Sequence, residues 1–195
     1  MNMAIRTYFK WLIILGFLIS ACSRNTEYNR YKRLVKKELA KGIREDSLFL
    51  GIRFGMLSKD FYMHCWDLNK RGVITDGNNN TAVLYKLPNQ LKYPVSMNFY
   101  PDFSNHKIYK MRVDFMYDSW APWNKKLFSD SLQLDVVRLY KKWYGDRNFI
   151  KMTDSARGPL FVKVDGNRRI IIGRYDDSRV KVDYTDLTVD NDVKK

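Results

Sequence analysis

The chain contains few residues of the types that support catalysis or metal binding. Its two histidines, His64 and His106, have no second strong ligand at a metal-binding spacing. His64 stands four residues after Asp60, a spacing at which a surface pair on a helix is much commoner than a metal site. Asp176 and Asp177 are typical of the turn before a strand. No Walker A loop, nucleophile elbow or zincin motif is present, so the sequence predicts no catalytic residue, no metal site and no cofactor.

Two tryptophans in one short segment are the strongest candidates for binding. Trp120 and Trp123 flank Pro122 in DSWAPWNKK, residues 118–126. Large rigid rings bury much area at low entropic cost, so exposed tryptophans beside lysines favour contact with a protein or a sugar ring. The other interpretation is that both rings fill a seam between two halves of the domain, because Trp is highly buried on average. The candidate partner-binding residues are Trp120, Trp123, Asn124, Lys125 and Lys126.

The N-terminal segment has the organisation of a secretory signal peptide. Arg6 and Lys10 precede an apolar run at residues 11–20, which ends abruptly in polar residues. A membrane-spanning helix needs about 20 apolar residues, and this run is too short. The alternative is an uncleaved N-terminal anchor.

The sequence Ile-Ser-Ala-Cys at residues 19–22 places two small residues and a cysteine directly after the apolar run. It resembles the lipobox of bacterial lipoproteins. The resemblance implies diacylglycerol transfer to Cys22, removal of residues 1–21 and acylation of the new amino group. Several acyl chains, at about 0.8 kcal/mol per buried CH₂, would hold the protein stably on a membrane. Cys65 is then the one remaining thiol, and we expect it to be buried and unreactive.

The chain is strongly basic. Loss of Arg6 and Lys10 with the signal peptide would lower the net charge from +14 to +12. This surplus favours an anionic or protein partner in the cell envelope, or it forms a solvated surface; nucleic acid is not expected for an exported protein. Ser23 follows the anchor and no acidic run does, which resembles the sorting pattern of outer-membrane lipoproteins in Gram-negative bacteria. We therefore predict an outer-membrane anchor with the domain facing the periplasm.

The rest of the chain predicts one α+β domain at residues 31–188. A polar tether at 22–30 precedes it, and a frayed tail at 189–195 follows it. Inside the domain, two halves at about 46–117 and 127–186 each read as a helix followed by antiparallel strands. The predicted architecture is therefore a curved antiparallel sheet with helices covering one face, and two such halves in tandem.

Helical periodicity and strand alternation place the elements within each half. Ser58 and Ser129 can cap helices whose apolar residues recur at helical spacing, and Gly55 follows a short predicted strand. Residues 107–117 alternate, with the apolar side chains at odd positions from 109 to 117 facing the core. The longer predicted strands are 81–87, 96–100, 107–117, 149–153, 160–164, 168–174 and 179–185.

The stretch GMLSKDF at residues 55–61 resembles the Gly-Met-Ser/Thr-Lys opening of the SmpA/OmlA (BamE-like) family and of β-lactamase-inhibitor-protein-like repeats. In that group a turn, a helix and three or four antiparallel strands recur, often in tandem. This sequence inserts Leu57 into the motif and lacks a clear Leu-Gly pair at the helix end. The resemblance implies an envelope binding scaffold, and no interface residue can be carried over.

These observations predict a membrane-anchored lipoprotein that acts as a non-enzymatic binding or assembly module for another envelope component. One alternative is a hydrolase or transferase acting on envelope polysaccharide, which would need two carboxylates about 5 to 9 Å apart in a deep cleft. Another is a small-ligand binding protein, which would need an enclosed dry cavity.

Overall fold

A computed structural model describes residues 27–77, 82–156 and 158–190. The signal peptide, Cys22 and residues 191–195 lie outside the described residues. Within them, helix α1 covers 27–40, α2 is Ser58–Lys70, α3 is Ser129–Tyr144, and a 3₁₀ turn is Lys125–Leu127. None of these helices is both long and apolar enough to cross a membrane.

Eight strands form one antiparallel sheet with the order β1-β2-β3-β4-β8-β7-β6-β5. The fold is α+β, with helices packed against a curved, open sheet, which confirms the predicted fold class. The strands are β1 Thr75–Asp76, β2 Val83–Leu87, β3 Val95–Ser104, β4 Lys107–Tyr117, β5 Phe149–Asp154, β6 Gly158–Asp165, β7 Arg168–Arg174 and β8 Arg179–Asp186.

The two halves of the sheet repeat one plan. Helix α2 precedes the meander β1 to β4, α3 precedes β5 to β8, and β4 pairs with β8 to join the halves. The amide of Ser58, the first residue of α2, donates to the carbonyl of His106 between β3 and β4 at 2.8 Å. The amide of Ser129, which begins α3, donates to the carbonyl of Asp177 between β7 and β8, also at 2.8 Å. Each helix is thus fixed to the last turn of its own meander.

These backbone bonds correct the predicted side-chain caps. The N-cap residues are Leu57 and Phe128, both extended, and neither helix has a side-chain cap hydrogen bond. Ser58 and Ser129 are instead the first helical residues, and their amides are already satisfied by the turns. A serine hydroxyl is therefore not needed at either start.

Helix α3 covers the main core. Its apolar stripe is fully buried at Leu132, Val136 and Tyr140, and the Tyr140 ring lies 6.1 Å from that of Phe115 on β4. Residues from β3, β4, β7 and β8 complete this core. The sequence predicts an apolar stripe on this helix made of Leu132, Val136, Leu139, Tyr140 and Trp143, and it is confirmed except that Trp143 is only partly buried.

A β-bulge changes the alternation predicted for β4. The pairing with β3 shifts between Asp102 and Phe103, so that Phe103 faces Ile108 while Asp102 faces Lys110. Ile108 is buried in the core, and Tyr109, predicted to face it, is partly exposed. The extra residue reverses the inward and outward positions at this end of the strand.

The segment before α2 does not form the predicted strand. Residues 44–54 make an isolated bridge between Ser47 and Arg53 and fold into a loop that covers the core. The Phe49 ring packs edge-on against Phe99 with centroids 5.0 Å apart. The buried apolar side chains of this loop are Leu48, Phe49, Ile52 and Phe54.

Helix α1 lies on the opposite sheet face, over β6 and β7. Val35 is buried with Val162 and Val164, in a cluster separate from the main core. Residues 27–30, predicted as tether, are helical. At the other end, Asp190 is buried and paired with Arg169 at 3.2 Å, so residue 190 is held to the domain although we predicted fraying from 189. Opposite charges on facing segments account for this difference.

Candidate functional site

The predicted binding loop, residues 118–126, lies in a segment, 118–128, whose two ends are held by hydrogen bonds and burial. The backbone amide of Asp118 donates to the Pro94 carbonyl at 3.0 Å, and the Asp118 carboxylate lies 3.1 Å from the Lys86 ammonium. At the other end Leu127 is buried, and its amide donates to the Asn124 carbonyl at 3.0 Å. The loop therefore has one defined backbone path between β4 and α3.

The two tryptophans, which the sequence treated alike, have different environments. Trp120 is partly buried against the core, with its ring 6.1 Å from Phe128. Trp123 is 84% exposed. Trp120 thus holds the loop, and Trp123 presents a large ring to solvent.

A hollow of about 680 Å³ lies beside the loop. Trp120 and Lys125 line it on one side, and Asp176 and Asp177 on the other. The Lys125 ammonium lies 4.0 Å from the centre of the Phe128 ring. Among the predicted site residues, Trp120 and Lys125 therefore meet at one surface. Asn124 is partly buried, and Trp123 and Lys126 project outside the hollow.

Asp176, on the acidic side of the hollow, stays ionised at neutral pH. Burial alone would raise the pKa of Asp176, but hydrogen bonds from Arg179 and Ser178 outweigh it and lower the pKa to about 2. The Arg179 guanidinium lies 2.6 Å from that carboxylate. Asp176 therefore shapes the β7–β8 turn, and the hollow beside Trp120 carries both signs of charge.

Two residues considered first for catalysis or metal binding, His64 and Cys65, have environments that favour a structural role. His64 Nε2 lies 2.6 Å from the carbonyl oxygen of Leu50, so this histidine bonds to the 44–54 loop. Burial raises the pKa of the Cys65 thiol to about 11, which leaves little thiolate at neutral pH. In the described part of the chain, no group of three or more His, Cys, Asp or Glu side chains is placed to hold a metal ion.

Sequence reasoning missed an exposed face on α2. Tyr62, Met63 and Trp66 lie on its outer side, and Trp66 is 63% exposed. The sequence predicts that Phe61, Cys65 and Leu68 share one face of this helix with Tyr62 and Trp66 flanking it, and that Met and aromatic residues outside the Trp120–Trp123 loop are core. The second expectation is wrong for Tyr62, Met63 and Trp66. The helix turns only Phe61 and Leu68 fully inward. The apolar residues of α2 cover more of the helix surface than the part that is buried, so their spacing did not show which of them face solvent.

A second concave region lies between residues 37–50 and the end of α3. Two adjoining clefts of about 560 and 520 Å³ share Glu45, Tyr144 and Arg168. The charges inside are largely paired. Lys163 is buried with its ammonium 3.0 Å from Asp165, and Glu38 lies 2.6 Å from Lys41. No motif indicated this region, because its residues come from separate elements.

Comparison of the chain with protein-family models, with curated proteins and with solved structures finds no significant match. The resemblances stated above for residues 19–22 and 55–61 therefore remain predictions.

Proposed function

We propose that this protein is a lipid-anchored, non-enzymatic binding module of the bacterial cell envelope. Cys22 is the acylated residue, and the loop around Trp123 contacts a protein partner in the same compartment. The observation that carries the binding role is the 84% exposure of Trp123 on a loop held at both ends. Because the loop is already positioned, little conformational entropy is lost when the ring is buried by a partner.

The charges around the loop favour a protein over a lipid surface. Lys125 and Lys126 lie near Trp123 in the chain, and Lys125 lines the hollow together with Asp176 and Asp177. An anionic membrane would repel the two carboxylates, whereas a protein surface can place opposite charges against both groups. A central aromatic ring bordered by mixed charge is the common composition of a protein hot spot.

The cleft carboxylates give less support to a polysaccharide hydrolase. A general acid needs a raised pKa near the working pH. Burial alone would raise the pKa of Glu38, but bonds from Lys41 and the Gly166 amide outweigh it and lower the pKa instead. Asp165 is held by Lys163 and Arg168. The Asp165 pairs lie within the β6–β7 hairpin, and Glu38 joins α1 to that hairpin by accepting the hydrogen bond from the Gly166 amide.

Photocrosslinking in intact cells tests the binding role. A photoreactive amino acid replaces Trp123 in one variant and Trp66, also well exposed, in a matched control. We expect a discrete crosslinked protein from position 123 that is absent or much weaker from position 66. Equal adducts from both positions, or none from position 123, would refute the proposed interface.

The anchor and its location are tested separately. Mass spectrometry of the natural product should show an acylated Cys22 at the N-terminus, and Cys22→Ala should abolish both acylation and cleavage. An unmodified Cys22 with residues 1–21 attached would refute the anchor. Protease treatment of intact cells should spare the protein if the domain faces the periplasm, and rapid loss would place it outside.

A further inference from the structure

Helix α1 carries a continuous basic surface on its solvent side. At 100° per residue, the residues that face the sheet fall on one half of the helix and the basic residues on the other. The inner residues are Tyr31, Leu34, Val35, Glu38 and Leu39. The outer basic residues, all exposed, are Arg30, Lys32, Arg33, Lys36 and Lys37. We call these five the α1 basic face.

The acidic residues of α1 do not neutralise this face. Glu38 is buried beneath the helix and bonds to Lys41 and the Gly166 amide. Glu27 accepts a hydrogen bond from the backbone amide of Thr153 at 3.0 Å. Within residues 27–77, 82–156 and 158–190, no ion pair involves the α1 basic face. The Lys37 charge helps to lower the pKa of Glu38, and the Lys32 ammonium lies 4.6 Å from the centre of the Tyr28 ring, but neither lysine is paired with a carboxylate among the described residues. The face as a whole therefore keeps an excess of positive charge for an external anion.

The position of the face relative to Cys22 identifies what it meets. Residue 27 is already helical and packed, and it stands five peptide steps after Cys22. Five residues of extended chain reach at most about 17 Å. A lipid on Cys22 therefore keeps the start of α1 close to the membrane surface, where an anionic headgroup layer attracts basic side chains over a Debye length of about 8 to 10 Å.

We propose that the α1 basic face docks on the phosphate-bearing headgroups of anionic phospholipids in the membrane that holds the anchor. This inference rests on the lipid anchor of the proposed function and adds an orientation to it. The domain then lies with α1 against the bilayer. A basic helix beside an acyl chain is the two-signal arrangement that gives stable attachment.

Lysine labelling of the intact lipoprotein tests this. The purified protein is reconstituted into vesicles of phosphatidylcholine alone or of phosphatidylcholine with one part in three phosphatidylglycerol, and each lysine's reaction with an amine reagent is followed by mass spectrometry. Lys32, Lys36 and Lys37 should react several-fold more slowly on the anionic vesicles. Lys59 and Lys142, both exposed elsewhere, should react equally on both. High salt should remove the difference.

A charge-neutralised variant distinguishes the effect of the α1 basic face from the effect of the protein's net charge. In the test variant Arg30, Arg33, Lys36 and Lys37 become Gln, and Lys32 remains as the reporter. A matched control replaces four exposed lysines on other surfaces, Lys59, Lys70, Lys92 and Lys142. Each basic residue removed should weaken docking about fivefold, so Lys32 should lose its protection in the test variant and keep it in the control.

Three outcomes would overturn the proposal. They are equal labelling on the two vesicle types, equal loss of protection in the two variants, and protection of Lys32 in cells but not on anionic vesicles, which would indicate a protein partner on α1. None of these affects crosslinking from position 123 or acylation of Cys22, so failure here is distinguishable from failure of the proposed function.

Discussion

Asp186 ties the start of the 44–54 loop to the end of β8, and its replacement by Asn tests how that loop is held. Its carboxylate is buried and lies 2.8 Å from the Arg44 guanidinium. The same group accepts hydrogen bonds from the Thr188 amide at 3.0 Å and from the Thr188 hydroxyl at 2.6 Å. Asp186→Asn keeps one oxygen for Thr188 but turns an amide donor toward Arg44.

The expected loss follows from the one charged hydrogen bond removed. Such bonds contribute about 1.5 to 3 kcal/mol. We take about 2 kcal/mol, because Arg44 is half exposed and keeps its 2.7 Å contact with Asp46. For a chain of this size, that lowers Tm by about 4 to 8 °C. Urea unfolding at about pH 7 measures the free energy directly.

The pH dependence gives a second readout. Burial alone would raise the pKa of Asp186, but bonds from Thr188, Asn167 and Arg44 outweigh it and hold the pKa below its ordinary value of 3.8. A lowered folded-state pKa contributes stability above 3.8 that is lost as the pH falls through the folded value. The difference between the two proteins should therefore narrow below about pH 4.

Two results would refute this reasoning. One is equal stability of the two proteins at about pH 7, and the other is a difference that stays constant down to about pH 2. Asp67→Asn is the matched control, because Asp67 pairs with Arg71 at 2.9 Å on an open helix surface. It should change the free energy of unfolding by under about 0.5 kcal/mol.

Three further predictions concern single residues. Cys65, whose thiol pKa is raised to about 11, should react slowly with a maleimide in the folded protein at neutral pH and rapidly in urea; rapid labelling of the folded protein would contradict this. Gly166→Ala should destabilise by more than Gly42→Ala in thermal unfolding, because both have positive φ but only at Gly166 would a Cβ strike the Ile43 carbonyl. Phe49→Ala should cost about 3 to 5 kcal/mol in urea unfolding, and a loss under about 1 kcal/mol would show that the loop is not part of the core.

The bounds of strands and the buried faces of helices could be predicted where one face of the element is buried and the other is exposed to solvent. The bounds of β4, Lys107–Tyr117, and β7, Arg168–Arg174, agree with the predicted ranges. In β4 apolar and charged residues alternate from 109 to 115, and in β7 the apolar run 170–172 follows a strong turn signal at 165–167. The bulge at Ile108 was not predictable, since it depends on a pairing with Phe103 that is set by the turn between the two strands.

The 44–54 loop shows why composition alone misassigned a segment. Its apolar run reads as a buried strand, but Leu50 and Gly51 both have positive φ and turn the chain back on itself. The Leu48 amide then bonds to the Ile52 carbonyl at 2.9 Å. Leucine rarely adopts this backbone conformation, so nothing in the sequence indicated the turn.

Residue types pointed to the loop with the two tryptophans, but they did not show which of the two rings is exposed. Trp120 and Trp123 share a loop and a residue type, and their exposure differs because only Trp120 reaches Phe128 and the core. The α1 basic face required the structure for another reason. Its charges are visible in the sequence, but only the packing of Val35 and the burial of Glu38 show that the helix presents one sign outward.

The strand order places the Trp123 loop and the start of α1 at the same end of the sheet. Strands β4, β5 and β7 run in the same direction, since each is separated from the next by an odd number of antiparallel partners. The Trp123 loop follows the end of β4, and Glu27 bonds to Thr153 near the end of β5, so both lie at one end of the sheet. Because α1 and α3 lie on opposite faces of the sheet, a domain docked through α1 leaves the loop that leads into α3, with Trp123, open to a protein partner.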